Sequence, residues 1–340
     1  MSLTITDFKI PNSVGVSAKT AKDAMVQGGL DWTVSQHPIM TELGGNLVTL
    51  EKYKSVVRDD TNDVLSIMGS TYKPLQNKEK FDWADGLVVA GDALFTSVGY
   101  FGNGAVNWLL AELPGSMNIG NEKDMLKKYL LFADSYNGSL SFVTKFTTIR
   151  PVCANTFAAA IAQNSKDAGQ TQRIKHTPNM LNKIADVRKS LGLVDAYYEQ
   201  LAEQLKRLAG KKLKADESEA FFQKMMHWSE EGQNVSTRSD NIRGSLVDLY
   251  NGDAIGAGLA GDTAWGALNA VTEYVDHHIG IRGTDTSNRT KSAWFGPGEK
   301  MKQEAFNMLI DFTNDNLALV PINVKVGKVK ENLAEMEVPA

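Results

Sequence analysis

The stretch KYLLFADSYNGSLSFVTKFTTIRPVCA, residues 128–154, decides the fold. Two apolar runs flank Asn137-Gly138, and Asn-Gly between apolar runs is a strong local signal for a β-hairpin. The second run ends at Arg150-Pro151, where the proline lacks a backbone donor and ends regular strand pairing. The stretch therefore predicts two antiparallel strands joined by a tight turn.

A second hairpin is predicted directly upstream. The runs ALFTSVGYF (93–101) and AVNWLLAEL (105–113) flank a Gly-Asn-Gly turn. Before these strands, apolar residues at helical spacing predict a helix that Asn77 caps and Gly91 ends. We therefore expect helix, hairpin, hairpin and helix over residues 78–163.

From Asn155 onward the pattern is mainly helical. We expect a helix capped at Asn155 and a longer one within residues 178–208, with one apolar stripe from Leu181 to Leu208. Such a stripe is more often core, but it could mediate self-association as a coiled coil. A polar loop ending at Trp294 and a last helix follow.

The fold class predicted from these patterns is α+β. An antiparallel sheet of two hairpins is flanked by helices and followed by a mainly helical C-terminal half. Three regions are expected for 340 residues: an N-terminal lead-in (1–57), an α+β hairpin core (58–163) and a mainly helical region packing on the core (164–340).

The composition is that of an ordinary globular protein, with 42% hydrophobic and 22% charged residues. No run of about eighteen apolar residues occurs, so we expect no transmembrane helix and no membrane partner. The start of the chain does not predict a secretory signal. A single cysteine, Cys153, excludes an internal disulfide and fits the reducing cytoplasm of a bacterial host.

The net charge of −4 hides an asymmetry. Residues 145–214 contain 13 Lys and Arg against five acids, a balance of +8, whereas residues 58–124 have five against ten. A concentrated positive field can attract polyanions even in an acidic protein. The alternative is a solvated helix face with no binding role.

Arg150 lies at the predicted junction between a strand and the helix that begins at Asn155. The free N–H groups of a helix N-terminus and a guanidinium could together hold a phosphate. The alternative for Arg150 is a structural pair with an acid. Cys153 has no motif that pairs it with a base, and a lone cysteine between Val152 and Ala154 is more often a small core residue.

Two further basic segments are candidates for nucleic-acid contacts. Arg173, Lys175 and His176 precede the predicted helix that carries Arg188, as in a strip that contacts backbone phosphates without fixed base-reading spacing. A later loop combines basic side chains with an aromatic, as in a stacking platform for bases. Its residues are Arg282, Arg289, Lys291 and Trp294. Trp294 could instead anchor the loop on the core.

The segment NAVTEYVDHH is the candidate metal site. Asn269, Glu273 and His277 recur at i, i+4 and i+8, on one face of a helix, and Asp276 flanks that face. A carboxylate and an imidazole one turn apart can bind a divalent cation. Such a ladder is more often a hydrogen-bond network between packed helices.

Several of these stretches together resemble one family, the domain of unknown function 932 proteins of phages and plasmids. The stretches that carry the resemblance, in order between Gly69 and Leu309, are YKPLQNKEKFD, YNGSLSFVTKFTTIRPVCANTF, RIKHT, TAWGALNAVTEYVDHH and SAWFGPGEKMKQEAF. The residues characteristic of the family in this sequence are Arg150, Cys153, Asn155, His176, Asn269, Glu273, His277, Arg282 and Trp294. Pro151 departs from the family pattern.

The resemblance implies a mobile-element setting and no particular reaction. In that setting, a hairpin core with basic helices is similar to phage single-strand annealing recombinases, which bind the DNA backbone without nucleotide hydrolysis and act as rings or filaments. This similarity is an analogy of fold and setting.

The preferred hypothesis is a mobile-element protein that binds nucleic acid, expected to be DNA, with weak sequence specificity, forms a homo-oligomer and uses no cofactor. The expected contacts are Arg150, Asn155, Arg173, Lys175, His176, Arg188, Arg282, Arg289, Lys291 and Trp294. One alternative is a metal-dependent hydrolase or nuclease that uses Glu273, Asp276 and His277. Another is a host-interaction, anti-defence protein that docks through the 181–208 stripe.

Overall fold

The computed structural model describes residues 13–88, 93–120, 123–150, 155–157, 171–174, 194–255, 257–280 and 287–327. Strands β1–β12 are, in chain order, Ser13–Ala18, Val34–Leu43, Asn46–Arg58, Val64–Gly69, Leu94–Phe101, Val106–Asn118, Met125–Ser135, Phe142–Arg150, Asn155–Phe157, Thr171–Ile174, Asn234–Ser236 and Lys325–Gly327. Helices α1–α9 are Ala21–Gln27, Asn77–Val88, Val194–Gly210, Ala215–Met225, Thr237–Asp248, Ala257–Ala260, Ala264–Glu273, Ser287–Phe295 and Pro297–Thr313. The predicted α+β class, with a mainly helical C-terminal half, is confirmed.

Within the described residues of the helical half, two single π-helical turns interrupt the helices. The first, π1 (Leu249–Asp253), directly follows α5, and the second, π2 (Tyr274–His278), directly follows α7. In the described part of the chain, no helix combines the length and the apolar character needed to cross a membrane.

A seven-stranded antiparallel sheet forms the centre of the protein. Its order is β1-β5-β6-β7-β8-β10, and β9 also pairs with β8. Both predicted hairpins lie in it, β5–β6 around Gly102 and Gly104 and β7–β8 around Gly138. These three glycines have φ values of 65°, 104° and 70°, a region that glycine adopts without steric cost. The local turn chemistry is therefore what specifies the strand pairing.

A second sheet, of order β2-β3-β4, is built largely from the predicted lead-in. Strands β2 and β3 form a long hairpin, whereas β4 pairs only with the part of β3 from Tyr53 to Val57. The outer half of the hairpin therefore extends beyond β4. Large apolar side chains of this sheet are exposed: Met40, Leu43, Leu47, Val48, Leu50, Tyr53, Val64 and Ile67. The boundary expected after residue 57 falls at the end of β3 and stays a prediction.

Two predicted helix caps are wrong. Asn77 lies inside the first turn of α2, where Glu79 accepts a hydrogen bond from the backbone of Gln76 and the Asn77 amide bonds elsewhere. Asn155 begins strand β9, in which residues 155–157 pair with residues 148–150 of β8. Pairing with a neighbouring strand thus overrides the local preference of Asn155 for a helix start.

Helix α3 confirms the described part of the predicted 178–208 helix. Its apolar residues Leu201, Leu205 and Leu208 are fully buried in the core. This part of the stripe is therefore not available for a coiled coil or for docking. The residues of the stripe before Val194 lie outside the described part of the chain.

The central sheet is covered on both faces. Asn107 and Trp108 are neighbours on β6, so their side chains point to opposite faces. Asn107 contacts Asn77 of α2 on one face. On the other face, Trp108 packs edge-on against Trp294 of α8, with ring centroids 5.0 Å apart. The N-terminal elements thus cover the first face and the C-terminal helices cover the second.

Candidate functional site

A buried polar cluster lies between the sheet and α2. Lys80 Nζ lies 2.9 Å from Asp134 Oδ2, and the two side chains are 6% and 1% exposed. The Lys80 ammonium also lies 3.7 Å from the centroid of the Tyr136 ring. Asn77 Oδ1 accepts hydrogen bonds from Asn107 Nδ2 (2.9 Å) and the Tyr136 hydroxyl (2.8 Å). These contacts fix α2 on the first face of the sheet.

Burial changes the pKa of the lysine in this cluster. Desolvation lowers the pKa of Lys80, although the nearby Asp134 carboxylate opposes that effect. The cavity beside the pair has a volume of about 10 Å³, enough for one water molecule. The cluster is too closed to admit a ligand, and its role is structural.

A second buried cluster lies between the sheet and the C-terminal helices. Lys145 of β8 donates to the Trp294 carbonyl oxygen at 3.1 Å and to the Glu299 carboxylate. Lys302 of α9 donates to Asp276 Oδ1 at 2.7 Å and to the Thr156 carbonyl oxygen at 2.7 Å. Two lysines and two carboxylates therefore share one interior region. This region contains a cavity of about 10 Å³, large enough for one water molecule, and Lys145, Glu299 and Lys302 line it.

The pKa of Lys145 is lowered from 10.5 to about 8. Burial is the main cause, the Glu299 carboxylate opposes it, and the positive charges of Lys302 and Arg173 add to it. Perturbed lysines of this kind occur at active sites, but they also occur in structural ion-pair networks. Because Lys145 is almost fully buried and already paired, the structural role fits the geometry better.

The predicted metal ligands do not converge. Glu273 accepts the backbone N–H of Ile255, at 3.0 and 3.1 Å from its two oxygens. Asp276 pairs with Lys302, and His277 Nε2 lies 3.1 Å from Asn155 Oδ1. Within the described ranges, no group of three His, Cys, Asp or Glu side chains could hold a metal ion.

The turn π2 explains this divergence. Helical periodicity predicts that Glu273 and His277 share one face only if the chain stays α-helical. The π-helical turn starts at Tyr274, one residue after Glu273, and changes the angular spacing of the residues that follow. The metal-dependent hydrolase hypothesis therefore has no assembled site among these residues.

The first set of predicted nucleic-acid contacts is only partly described. Arg150 ends β8 and is paired with Asn155 of β9. Asn155 is buried and bonds Thr272 and His277, so the expected phosphate site at a helix start is wrong. Arg173 is exposed on β10. Three predicted contacts, and also Cys153, lie outside the described residues: Lys175, His176 and Arg188.

The second set forms a helix where a loop was expected. Residues 287–295 are α8, and Trp294 is only 5% exposed and packs on Trp108 and Phe101. The expected stacking platform is therefore wrong for Trp294, which anchors α8 on the sheet. Arg289 Nε donates to the Ile279 carbonyl oxygen at 2.9 Å. Arg282 lies outside the described residues.

Two of the predicted contacts lie at the same end of the central sheet. Lys291 Nζ donates to Ser139 Oγ at 3.1 Å, in the turn that joins β7 to β8. Arg173 lies on β10 opposite Val143, near the start of β8 and thus at the same end of the sheet. Within the part of the chain that the structure describes, neither cation forms an ion pair with a carboxylate. We call Arg173, Ser139 and Lys291 the basic corner.

The sequence does not predict that the residues of either buried cluster come together. Lys80, Asp134 and Lys302 come from segments far apart in the chain, and no local pattern marks a lysine as buried. The only available signal was that stretches of the family resemblance contain Lys80, Lys145, Asp276 and Lys302.

The fold and these clusters define a class of protein: a mixed α+β protein whose antiparallel sheet has a buried lysine–carboxylate cluster on each face. The chain belongs to the family described as Domain of unknown function (DUF932), whose match covers residues 64–294. No curated protein and no solved structure matches the chain. The expected membership of this family is thus confirmed.

Proposed function

We propose that the protein binds nucleic acid through the basic corner. The observation that supports the proposal is that Arg173 and Lys291, two cations from distant parts of the chain, lie at the same end of the central sheet. Each lacks a carboxylate partner among the described residues. Unpaired cations that share one surface are the electrostatic requirement for binding a polyanion.

Phosphate is the chemical group that this pair of side chains suits. A guanidinium binds phosphate oxygens in a bidentate manner, and an ammonium acts as a point charge. Partial burial lowers the pKa of Lys291, so a bound phosphate would favour its charged form. Contacts of this kind recognise the backbone, and binding is therefore expected to be weakly sequence-specific.

We further propose that the protein is of phage or plasmid origin and acts in the host cytoplasm. Its nucleic acid is DNA, and its role is strand annealing or recombination without nucleotide hydrolysis. These proposals rest on the family motifs and on the analogy of fold and setting.

Self-association belongs to the same proposal, with a second copy of this chain as the partner. The support is the set of exposed apolar side chains of the β2–β4 sheet, among which Leu47 is 72% exposed, Ile67 61% and Leu43 60%. Exposed apolar side chains in this number on one sheet are typical of an interaction surface. A second copy of the chain can cover them in a two-fold contact.

A salt titration tests nucleic-acid binding directly. Fluorescence anisotropy of a labelled single-stranded oligonucleotide, and of its duplex, is measured at rising salt concentration. We expect affinity to fall steeply, with a linear dependence of log K on log salt. Absence of binding at low salt, or binding that does not respond to salt, would exclude the proposal.

A further inference from the structure

A cleft of about 600 Å³ opens between α5 and the two π-helical turns. Its charged, amide and aromatic lining consists of Arg238, Asn241, Asp248, Asp253, Tyr274 and His278. Sites for small molecules typically have volumes of about 300–1,000 Å³. The basic corner uses none of these residues, so the cleft is a separate candidate site.

The π-helical turns supply three of these six charged, amide and aromatic lining residues. Asp253 ends π1, and Tyr274 and His278 are the first and last residues of π2. The buried Glu273 carboxylate links the two regions because it accepts the backbone N–H of Ile255, just after π1. Single π-helical turns occur frequently at functional sites, where they redirect side chains.

Charges of opposite sign are separated along the cleft. Arg238 lies in the first turn of α5 and Asp248 is its last residue. At a rise of about 1.5 Å per residue, their Cα atoms are about 15 Å apart along the helix axis. Asp253 follows Asp248 in the chain within the adjoining π1. The cleft therefore has a cationic end and an acidic end.

Tyr274 supplies an aromatic ring in the same cleft. The side chain is half-buried, and this burial raises the pKa of its hydroxyl, whereas the positive charge of Arg238 opposes that rise. Arg238 therefore lies near enough to Tyr274 to act on it electrostatically. One ligand can contact both side chains.

We propose that this cleft binds a nucleoside monophosphate. Arg238 binds the phosphate group, since a guanidinium matches phosphate geometry. Tyr274 stacks on the base. Asp248 and Asp253 accept hydrogen bonds from the exocyclic amino group of the base, which adenine, guanine and cytosine carry. A simple anion would use only the cationic end, and a simple amine only the acidic end.

Isothermal titration calorimetry with AMP, GMP, CMP and UMP tests whether the cleft binds nucleoside monophosphates. We expect one nucleotide bound per chain, with UMP weakest because uracil lacks an exocyclic amino group. Ribose 5-phosphate is the control that lacks the base, and it should bind at least about tenfold more weakly because it cannot stack on Tyr274. If none of the four nucleotides binds at about 1 mM, or ribose 5-phosphate binds equally well, the proposal is wrong.

Variants of exposed residues test the location. Arg238→Ala and Asp248→Asn should each weaken the tightest nucleotide by about tenfold or more, the loss expected for a hydrogen bond to a charged group. Asp195→Asn, on the exposed side of α3, is the matched control and should bind normally. Tyr274→Phe should retain binding because the ring remains.

If Arg238→Ala and Asp248→Asn both bind the nucleotide with unchanged affinity, the nucleotide binds elsewhere and the proposal is wrong. Thermal melting of each variant shows whether a loss of binding is only a loss of fold. The Arg173→Gln, Lys291→Gln variant leaves the cleft intact and should bind the nucleotide normally. Failure of this proposal is therefore distinguishable from failure of the nucleic-acid proposal.

Discussion

Lys302 and Asp276 form an ion pair of 2.7 Å in which each side chain is only 5% exposed. Lys302 also donates to the carbonyl oxygen of Thr156, and Asp276 accepts the backbone N–H of Thr156 at 2.6 Å. The pair therefore joins α9, π2 and β9 at one point. Its partners come from three segments, so its removal should affect the whole second face of the sheet.

Asp276→Ala should destabilise the protein strongly. The substitution leaves the Lys302 ammonium buried without its carboxylate, which typically costs about 3–5 kcal/mol in the free energy of unfolding. Urea unfolding at neutral pH measures the change. Asp311→Ala, on the exposed side of the same helix as Lys302, is the control and should change stability by less than about 0.5 kcal/mol. Equal effects would refute this account of the pair.

Asn77→Ala should also be costly, although the residue type is common at helix ends. Its amide donates to the carbonyl oxygens of Leu30 and Trp32, and its oxygen accepts from Asn107 and Tyr136. Each buried polar group left without a partner costs about 1–3 kcal/mol, so we expect a loss of at least about 2 kcal/mol. Chemical unfolding checks this against the exposed Asn118→Ala, for which we expect almost no change.

The lowered pKa of Lys145 predicts a pH dependence with a definite sign. The group titrates near 10.5 when unfolded and at about 8 in the folded protein. Between these values the unfolded chain binds more protons, so the free energy of unfolding rises with pH, by at most about 1.4 kcal/mol per pH unit. Below the folded value both states are protonated and the contribution is constant.

The Lys145→Met variant isolates this contribution. The difference in unfolding free energy between wild type and variant, followed from about pH 8 to about pH 10, should move in favour of wild type. A difference that stays flat, or that moves in favour of the variant, would show that Lys145 does not titrate as described.

If the protein self-associates through the β2–β4 sheet, substitutions in that sheet should change the oligomeric state without changing the fold. Leu43, Leu47 and Ile67 are exposed, so replacing all three with Lys removes apolar surface and adds charge without disturbing the core. Analytical ultracentrifugation should show an oligomer for wild type and a monomer for the variant. An oligomer that persists in the variant would place the contact elsewhere.

The turns of the two hairpins could be predicted because their determinants are local. Gly138 adopts a positive φ, and the Asn-Gly pair encodes that conformation in neighbouring residues. Asn155 was misassigned because its pairing partner is Arg150 across a strand ladder, which propensity does not represent. Long-range pairing, more than local preference, determines that segment.

The candidate site was less predictable for the same reason. The exposure of Trp294 depends on Trp108, which lies far away in the chain, and the directions of Glu273 and His277 depend on one π-helical turn. Arg173 and Lys291 stay predicted nucleic-acid contacts, and their position at the same end of the sheet follows only from the sheet register and the place of α8.

The most direct test of the central claim is the salt dependence of nucleic-acid binding after neutralisation of the basic corner. We predict that the Arg173→Gln, Lys291→Gln variant binds a single-stranded oligonucleotide more weakly. We also predict that its plot of log K against log salt is less steep than that of wild type. The slope should be less negative by about 0.7 for each phosphate that the variant no longer neutralises. Lys22→Gln, an exposed lysine on α1, should change neither quantity. An unchanged affinity and slope in the corner variant would contradict the account.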